Sequence, residues 1–242
     1  MSSDEGRPQV PFITTDQMRE VDRVMVDEYG IQLVQMMENA GRSLARLAWS
    51  RFLERAPGRS VLVLAGTGGN GGGGLVCARH LANRGAGIAV ATAAPLAKFT
   101  GVPKTQMDII QRMDIPVTSE PEDLPDTDLI IDALIGYSLD GAPTGTAARL
   151  IHAANHHGAP VLSLDVPSGV DASTGEAHSP AVHATATMTL ALPKTGLRQP
   201  GATPYVGELY LADISVPPRL YATSLGIDVG SPFATDDIVR LW

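Results

Sequence analysis

Six glycines fall within the eight residues 67–74, and this run is the first feature of the sequence that could do chemistry. Gly66-Thr67-Gly68-Gly69-Asn70-Gly71 fits the pattern G-x-G-x-x-G. It follows the apolar run 60–65 and leads into an apolar, helix-like stretch that starts at Leu75. Glycines let a chain turn tightly and approach a ligand closely. A helix N-terminus then presents free N–H groups and a positive dipole end, so a phosphate or pyrophosphate suits such a loop. The other reading is a glycine-rich turn without a ligand, but six glycines exceed what a turn requires. A P-loop is excluded, because Gly72-Gly73-Gly74-Leu75 stands where Lys and then Ser or Thr would follow. A nicotinamide dehydrogenase is disfavoured as well. Ala91-Thr92-Ala93-Ala94-Pro95 at the end of the second apolar run carries no acid for ribose hydroxyls and no arginine for a ribose phosphate.

Polar residues at the ends of later apolar runs offer further chemistry. Asp132 lies in the middle of 128–136 (DLIIDALIG). A buried carboxylate needs a partner, and a salt bridge or backbone N–H groups could supply one. The functional reading is a hard cation held by oxygens of Asn70, Asp132 and Ser168, in the range Mg²⁺, Ca²⁺ or an alkali ion. No Cys/His spacing suggests zinc. Asp165 and Lys194 each end an apolar run on the side where open α/β sheets bind ligands. Across a small pocket they could do acid–base work; the plain alternative is an ion pair. The six histidines form no triad with a nucleophile elbow. Cys77, the only cysteine, sits among apolar residues and reads as a small buried hydrophobe.

These groups need elements to position them. Helical periodicity covers 15–28 and a second stretch from about 34, each with a methionine- and alanine-rich face. From residue 60 the pattern alternates. Strands are expected at 60–65, 87–94, 116–118, 128–135, 159–166, 184–192 and 207–213, with helices at 75–83, 105–113 and 144–156. The glycines 66–74 read as loop. This alternation predicts an α/β fold with a mainly parallel sheet and helices on both faces. One of the last two strands is expected to run antiparallel at the sheet edge. Residues 1–13 read as a flexible tail, and 14–242 as one domain. The formal net charge of −8 among 242 residues argues against nucleic acid as a partner. No stretch is apolar enough to span a membrane and no leader-like segment opens the chain, so a cytoplasmic location is expected.

Four segments in order resemble the NAD(P)H-hydrate epimerase family, the YjeF N-terminal domain. They are 63–81 (VLAGTGGNGGGGLVCARHL), 128–136, 164–171 (LDVPSGVD) and 192–197 (LPKTGL), and 37–41 (MENAG) resembles the family's N-terminal helix. The resemblance implies a Rossmann-like three-layer α/β/α sandwich, often dimeric. It implies an enzyme that interconverts the R and S epimers of hydrated NADH and NADPH in nicotinamide nucleotide repair. A potassium ion would be held by Asn70, Asp132 and Ser168. The substrate would lie along Gly69, Asn70, Gly71, Gly72 and Gly73 and along Gly136, Tyr137, Ser138, Leu139, Asp140, Gly141 and Ala142, with Asp165 in contact. Asp165 and Lys194 would move the protons. A separate dehydratase would complete the repair, since no second domain follows within the sequence. Two segments depart from the family pattern. Gly69 and Gly73 replace an asparagine and an aspartate, and Tyr137-Ser138 replaces Thr-Gly. The alternative that these departures support is a nucleotide-binding or adaptor protein that keeps the fold without the chemistry.

Overall fold

The structure, a computed structural model, describes residues 10–242. Thr14 starts the first helix, α1 (Thr15–Asp27), through a reciprocal cap: its hydroxyl accepts from the Gln17 N–H and the Gln17 side chain accepts from the Thr14 N–H. Met18, Val21, Val24 and Met25 recur on one face and are buried. α2 (Leu33–Arg51) follows. The alternating part runs β1 (Ser60–Ala65), α3 (Gly69–Ala82), β2 (Gly87–Thr92), α4 (Gly101–Arg112), β3 (Val117–Ser119), β4 (Leu129–Ala133), α5 (Gly145–His156) and β5 (Val161–Leu164). β6 (Ala186–Leu190), β7 (Glu208–Ala212) and β8 (Ile238–Arg240) complete it.

All eight strands form one sheet in the order β3-β2-β1-β4-β5-β6-β7-β8. Every pairing is parallel except β7 with β8. The strand order therefore reverses direction between β1 and β4, the point at which such sheets open a crevice at their carboxyl edge. Strands buried on both faces explain the unbroken apolar runs. Val61, Val63 and Ala65 face a core shared with α2, α3 and α4, whereas Leu62 and Leu64 face a second core with α5. The three layers are those expected.

Three local expectations are corrected. The first concerns the last strand pair: β6 and β7 are parallel, and the antiparallel edge strand is β8. Its three residues are too few to carry a period. The second concerns the N-terminus. Residues 1–9 lie outside the described residues, but the segment from 10 to 13 is no free tail. Ile13 is fully buried and pairs with Lys194 as a parallel bridge, with Ile13 N–H to Pro193 O and Thr195 N–H to Ile13 O, each 2.9 Å. Third, the glycine loop ends at Gly68, and glycines 69–74 are the opening turns of α3. Gly71, Gly72, Gly73 and Gly74 stand in a helix, at a propensity cost, because their neighbours leave no room. A Cβ on Gly72 would meet the Met37 sulfur at 2.5 Å, and one on Gly74 would meet the Ala133 Cβ at 2.6 Å.

α2 and α3 also approach closely, since a Cβ on Gly41 would lie 2.4 Å from that of Val76. Across this contact Glu38 accepts from Arg79 and pairs with His80 at 2.8 Å. Partial burial raises the Glu38 carboxyl, but the hydrogen bonds from Arg79 and His80 outweigh it, and the net direction is downward. A lowered folded value means stability that is present above the unfolded value and lost as pH falls through the folded one. Glu38→Ala is expected to cost about 1 kcal/mol at neutral pH, the discounted value for a half-exposed pair. That is a fall of roughly 2–4 °C in melting temperature for a chain of this size. Calorimetric scans of the two proteins at pH 7 test it, and a smaller difference is expected at pH 3.

Candidate active site

The carboxyl ends of β1, β4, β5 and β6 converge on one cavity of about 470 Å³. β1 leads through Gly66 to the α3 start, so Thr67, Gly68, Gly69, Asn70 and Gly73 form one wall. The loop after β4 supplies Leu134, Ile135, Gly136, Tyr137 and Ser138. Asp165 follows β5 directly, and Lys194 lies four residues past β6. α1 and α2 close the apolar side with Met18, Leu33, Met36, Met37 and Ala40, and α1 adds Asp22.

Asp165 and Lys194 are nearly inaccessible, at 3% and 0% exposure, and form a buried ion pair. Lys194 also donates to the Leu190 carbonyl at 3.0 Å. The second Asp165 oxygen, Oδ2, accepts from the Tyr137 N–H at 3.3 Å, while the Thr189 hydroxyl and Leu190 N–H approach Oδ1 at 3.4 Å. A buried charge pair with its remaining valences met in this way is the arrangement that low-dielectric surroundings require. Asp165 adopts φ +67°, a left-handed conformation uncommon outside glycine, asparagine and aspartate. Such backbone strain clusters at functional sites. The bridge to Ile13 holds the Lys194 backbone in turn.

Asp132 is fully buried beside this pair of strand ends. It accepts from the Ser163 hydroxyl at 2.8 Å, from the Ser168 hydroxyl at 2.6 Å and N–H at 2.9 Å, and from the Leu134 N–H at 3.3 Å. Burial pushes its carboxyl up, and these bonds, led by the Ser168 hydroxyl, oppose that. The Ser168 hydroxyl also accepts from the Ile135 N–H at 2.9 Å and lies 3.1 Å from the Ile135 carbonyl. Asn70 reaches the neighbouring residue from the α3 side, packing so closely on Gly136 that a Cβ there would lie 3.2 Å from its amide oxygen. The buried Asn70 amide nitrogen has no partner among the described residues. The three expected ion ligands therefore gather around Ile135 and Gly136.

Among the expected substrate contacts, Gly69, Asn70, Gly73, Gly136, Tyr137, Ser138 and Asp165 line the cavity. Gly71 and Gly72 do not: they are buried packing positions. Leu139, Asp140, Gly141 and Ala142 also lie outside the lining, and the last three are exposed. Sequence reasoning passed over Asp22, whose Oδ2 accepts from the Tyr137 hydroxyl at 2.5 Å. Its spacing held a signal, because Met18, Asp22 and Met25 fall at i, i+4 and i+7 on the buried side of α1. Burial pushes the Asp22 carboxyl up, against the lowering by the Tyr137 hydrogen bond and the Lys194 charge. Cys77 is fully buried and burial pushes its thiol up, so it stands as the packing residue expected.

Doubly wound sheet, switch-point cavity, glycine-opened helix and buried carboxylate–ammonium pair define a Rossmann-like α/β protein with a built pocket. The sequence matches the family described as YjeF-related protein N-terminus over residues 33–196, and the chain belongs to that family. It is 45% identical over 240 residues to an NAD(P)H-hydrate epimerase of Dehalogenimonas lykanthroporepellens, covering 98% of this chain and 95% of that one. It is 36% identical to a bifunctional NAD(P)H-hydrate repair enzyme Nnr of Moorella thermoacetica, covering 88% of this chain but 42% of that one. Among solved structures, yeast ynu0 superposes with a TM-score of 0.81 at 26% identity, covering 96% of this chain and all of that one.

Proposed function

We propose that this protein is an NAD(P)H-hydrate epimerase, interconverting the R and S epimers of hydrated NADH and NADPH. The observation that carries this reading is the buried Asp165–Lys194 pair on the wall of the switch-point cavity. The relatives that bear the epimerase name, aligned over nearly the whole chain, support it. In the hydrate the hydroxyl sits on the carbon next to the ring nitrogen. Inversion must break and remake either that C–O bond or the ring C–N bond. In both routes a proton is placed on, or taken from, the hydroxyl oxygen. Asp165 and Lys194, paired at the cavity wall, are the groups assigned to hold and return it; Asp22, also in the lining, is bound by the Tyr137 hydroxyl. The apolar wall from Met18, Met36 and Met37 excludes water around the reacting ring.

The Asn70 amide, the Asp132 carboxylate and the Ser168 hydroxyl fit a monovalent cation, with the Ile135 carbonyl beside them. The set offers an amide oxygen, a hydroxyl and one buried carboxylate, hard oxygen donors that suit K⁺. Such an ion would supply positive potential at the phosphate-facing start of α3. The phosphates would lie against Gly69 and Asn70, at the helix N-terminus. A dinucleotide longer than the cavity would extend over Leu139, Asp140, Gly141 and Ala142. A homodimer, a separate dehydratase that consumes the product and a cytoplasmic location belong to the same reading.

The test is chromatographic separation of the two epimers after incubation of R-hydrate with the protein. Conversion above the spontaneous rate is expected in potassium buffer, with a drop of about tenfold or more when tetramethylammonium replaces potassium. Conversion at the spontaneous rate, with NADH still raising the melting temperature, would favour the adaptor reading, to which the altered residues Gly69 and Gly73 point.

A further inference from the structure

Tyr137 is tied down at three points. Its hydroxyl donates to Asp22 on α1, its backbone N–H donates to Asp165, and its ring centroid lies 5.7 Å from the Lys194 ammonium. Both Asp22 and Tyr137 line the cavity. A tyrosine ring on a loop turns about two side-chain torsions unless something holds its far end. Here that holder comes from a helix outside the span 33–196 that matches the family. The ring joins the apolar cluster of Met18, Met25 and Ile214, which anchors α1 to the turn after β7.

Building on the epimerase reading, we propose that Asp22 is a positioning residue that latches Tyr137, and that the latched ring is a fixed wall of the ligand cavity. The nicotinamide-derived ring of the dinucleotide rests against this wall, next to the Asp165–Lys194 pair. Contact with the aromatic face gives the conjugated, flat part of the nicotinamide-derived ring (its carboxamide-bearing double bond) affinity and orientation, although the hydroxyl-bearing carbon is tetrahedral. The latch keeps that surface in place before the ligand arrives, which spares the cost of ordering it on binding. An interaction made equally to substrate and transition state appears in KM and leaves kcat alone.

Four variants test this: Tyr137→Phe, Asp22→Ala, their double, and Asp22→Asn, whose amide oxygen still accepts from the tyrosine. The readouts are the R-to-S rate with KM and kcat separated, NADH affinity by titration calorimetry, and melting temperature. Tyr137→Phe and Asp22→Ala are each expected to raise KM and the NADH Kd about three- to tenfold, the scale of one hydrogen bond, with kcat within about twofold. The double is expected to be no worse than either single, because both break the same bond. Asp22→Asn is expected to recover most of what Asp22→Ala loses. Unchanged KM and Kd with a lower melting temperature would make the contact purely structural and overturn the proposal, as would two losses that multiply in the double. Wild-type protein that binds NADH without epimerising the hydrate refutes the epimerase reading, and the latch then stands or falls on the NADH titration. Wild-type protein that binds neither refutes both.

Discussion

Asp165→Asn is expected to reduce epimerisation to the spontaneous rate, a loss on the order of 10²–10⁴ for removal of a group that transfers protons. Asparagine keeps the shape of the side chain and tolerates the left-handed backbone that this position demands at φ +67°. It still accepts a hydrogen bond from Lys194, but it can neither take up a proton nor neutralise the ammonium. The loss of charge has a second consequence. Lys194 is 0% exposed, and removing one partner of a buried pair costs about 3–5 kcal/mol when the other charge is left unpaired. The retained hydrogen bond keeps Asp165→Asn near the low end, so its melting temperature is expected to fall by roughly 6–12 °C. Lys194→Met, which leaves the carboxylate stranded, is expected to fall at least as far. Epimer-resolving chromatography and calorimetry on folded protein at 25 °C separate the two effects. A folded Asp165→Asn that retains a tenth of wild-type turnover would sink the proton-transfer role.

Gly71→Ala is expected to be the most damaging glycine-to-alanine change among the described residues. Its Cβ would lie 1.8 Å from the Gly66 carbonyl oxygen and 2.6 Å from the Gly66 carbonyl carbon, both backbone atoms at the turn leaving β1. Gly66 cannot retreat, because it is pressed against Leu134 O, which would lie 2.0 Å from a Cβ on Gly66. Relief therefore requires the β1–α3 turn to move against the β4 loop, which deforms the cavity wall at Asn70 and Gly136. A cost above about 4 kcal/mol is expected, in the range reserved for strain in a tightly packed interior. Gly69→Ala, two residues earlier, is the control. A Cβ there meets nothing within 4 Å, and Gly69 is the first residue of α3, so alanine is expected to leave stability unchanged or raise it by less than about 0.5 kcal/mol. Urea unfolding midpoints of the two variants, taken with unchanged slopes, decide it. A Gly71→Ala variant as stable as the wild type would mean that the turn is more plastic than its contacts allow.

The contrast between these two glycines shows what the chain order conveys and what it does not. In the sequence, Gly69 and Gly71 are equivalent members of one motif, and both read as loop. In the structure both are helical: one faces open space, and the other is pressed onto the turn that precedes it. The distinction depends on atoms of Gly66 and Leu134, which no periodicity encodes.

The α/β class, the parallel core strands and the placement of Asn70, Asp132, Asp165 and Lys194 at or within a few residues of strand ends follow from local composition. A strand buried on both faces must be apolar throughout, and a charge that interrupts or ends it is visible by contrast. So these four were legible along the chain, whereas Asp22, which lines the cavity from α1, was passed over. The pairing of the site's residues was not legible. That Asp165 meets Lys194, that Asp132 is satisfied by Ser163 and Ser168, and that Asp22 holds Tyr137 are contacts across 29, 31, 36 and 115 positions. Strand order creates them, and strand order is set by which faces pack together. For the same reason β8 and the bridge from Ile13 to Lys194 escaped local reading: a three-residue edge strand and a single bridging residue carry no period of their own. The sequence by itself determined which residue types end each strand. Only the tertiary structure decided which of them touch, because a buried charge takes whatever partner the packed sheet brings within reach.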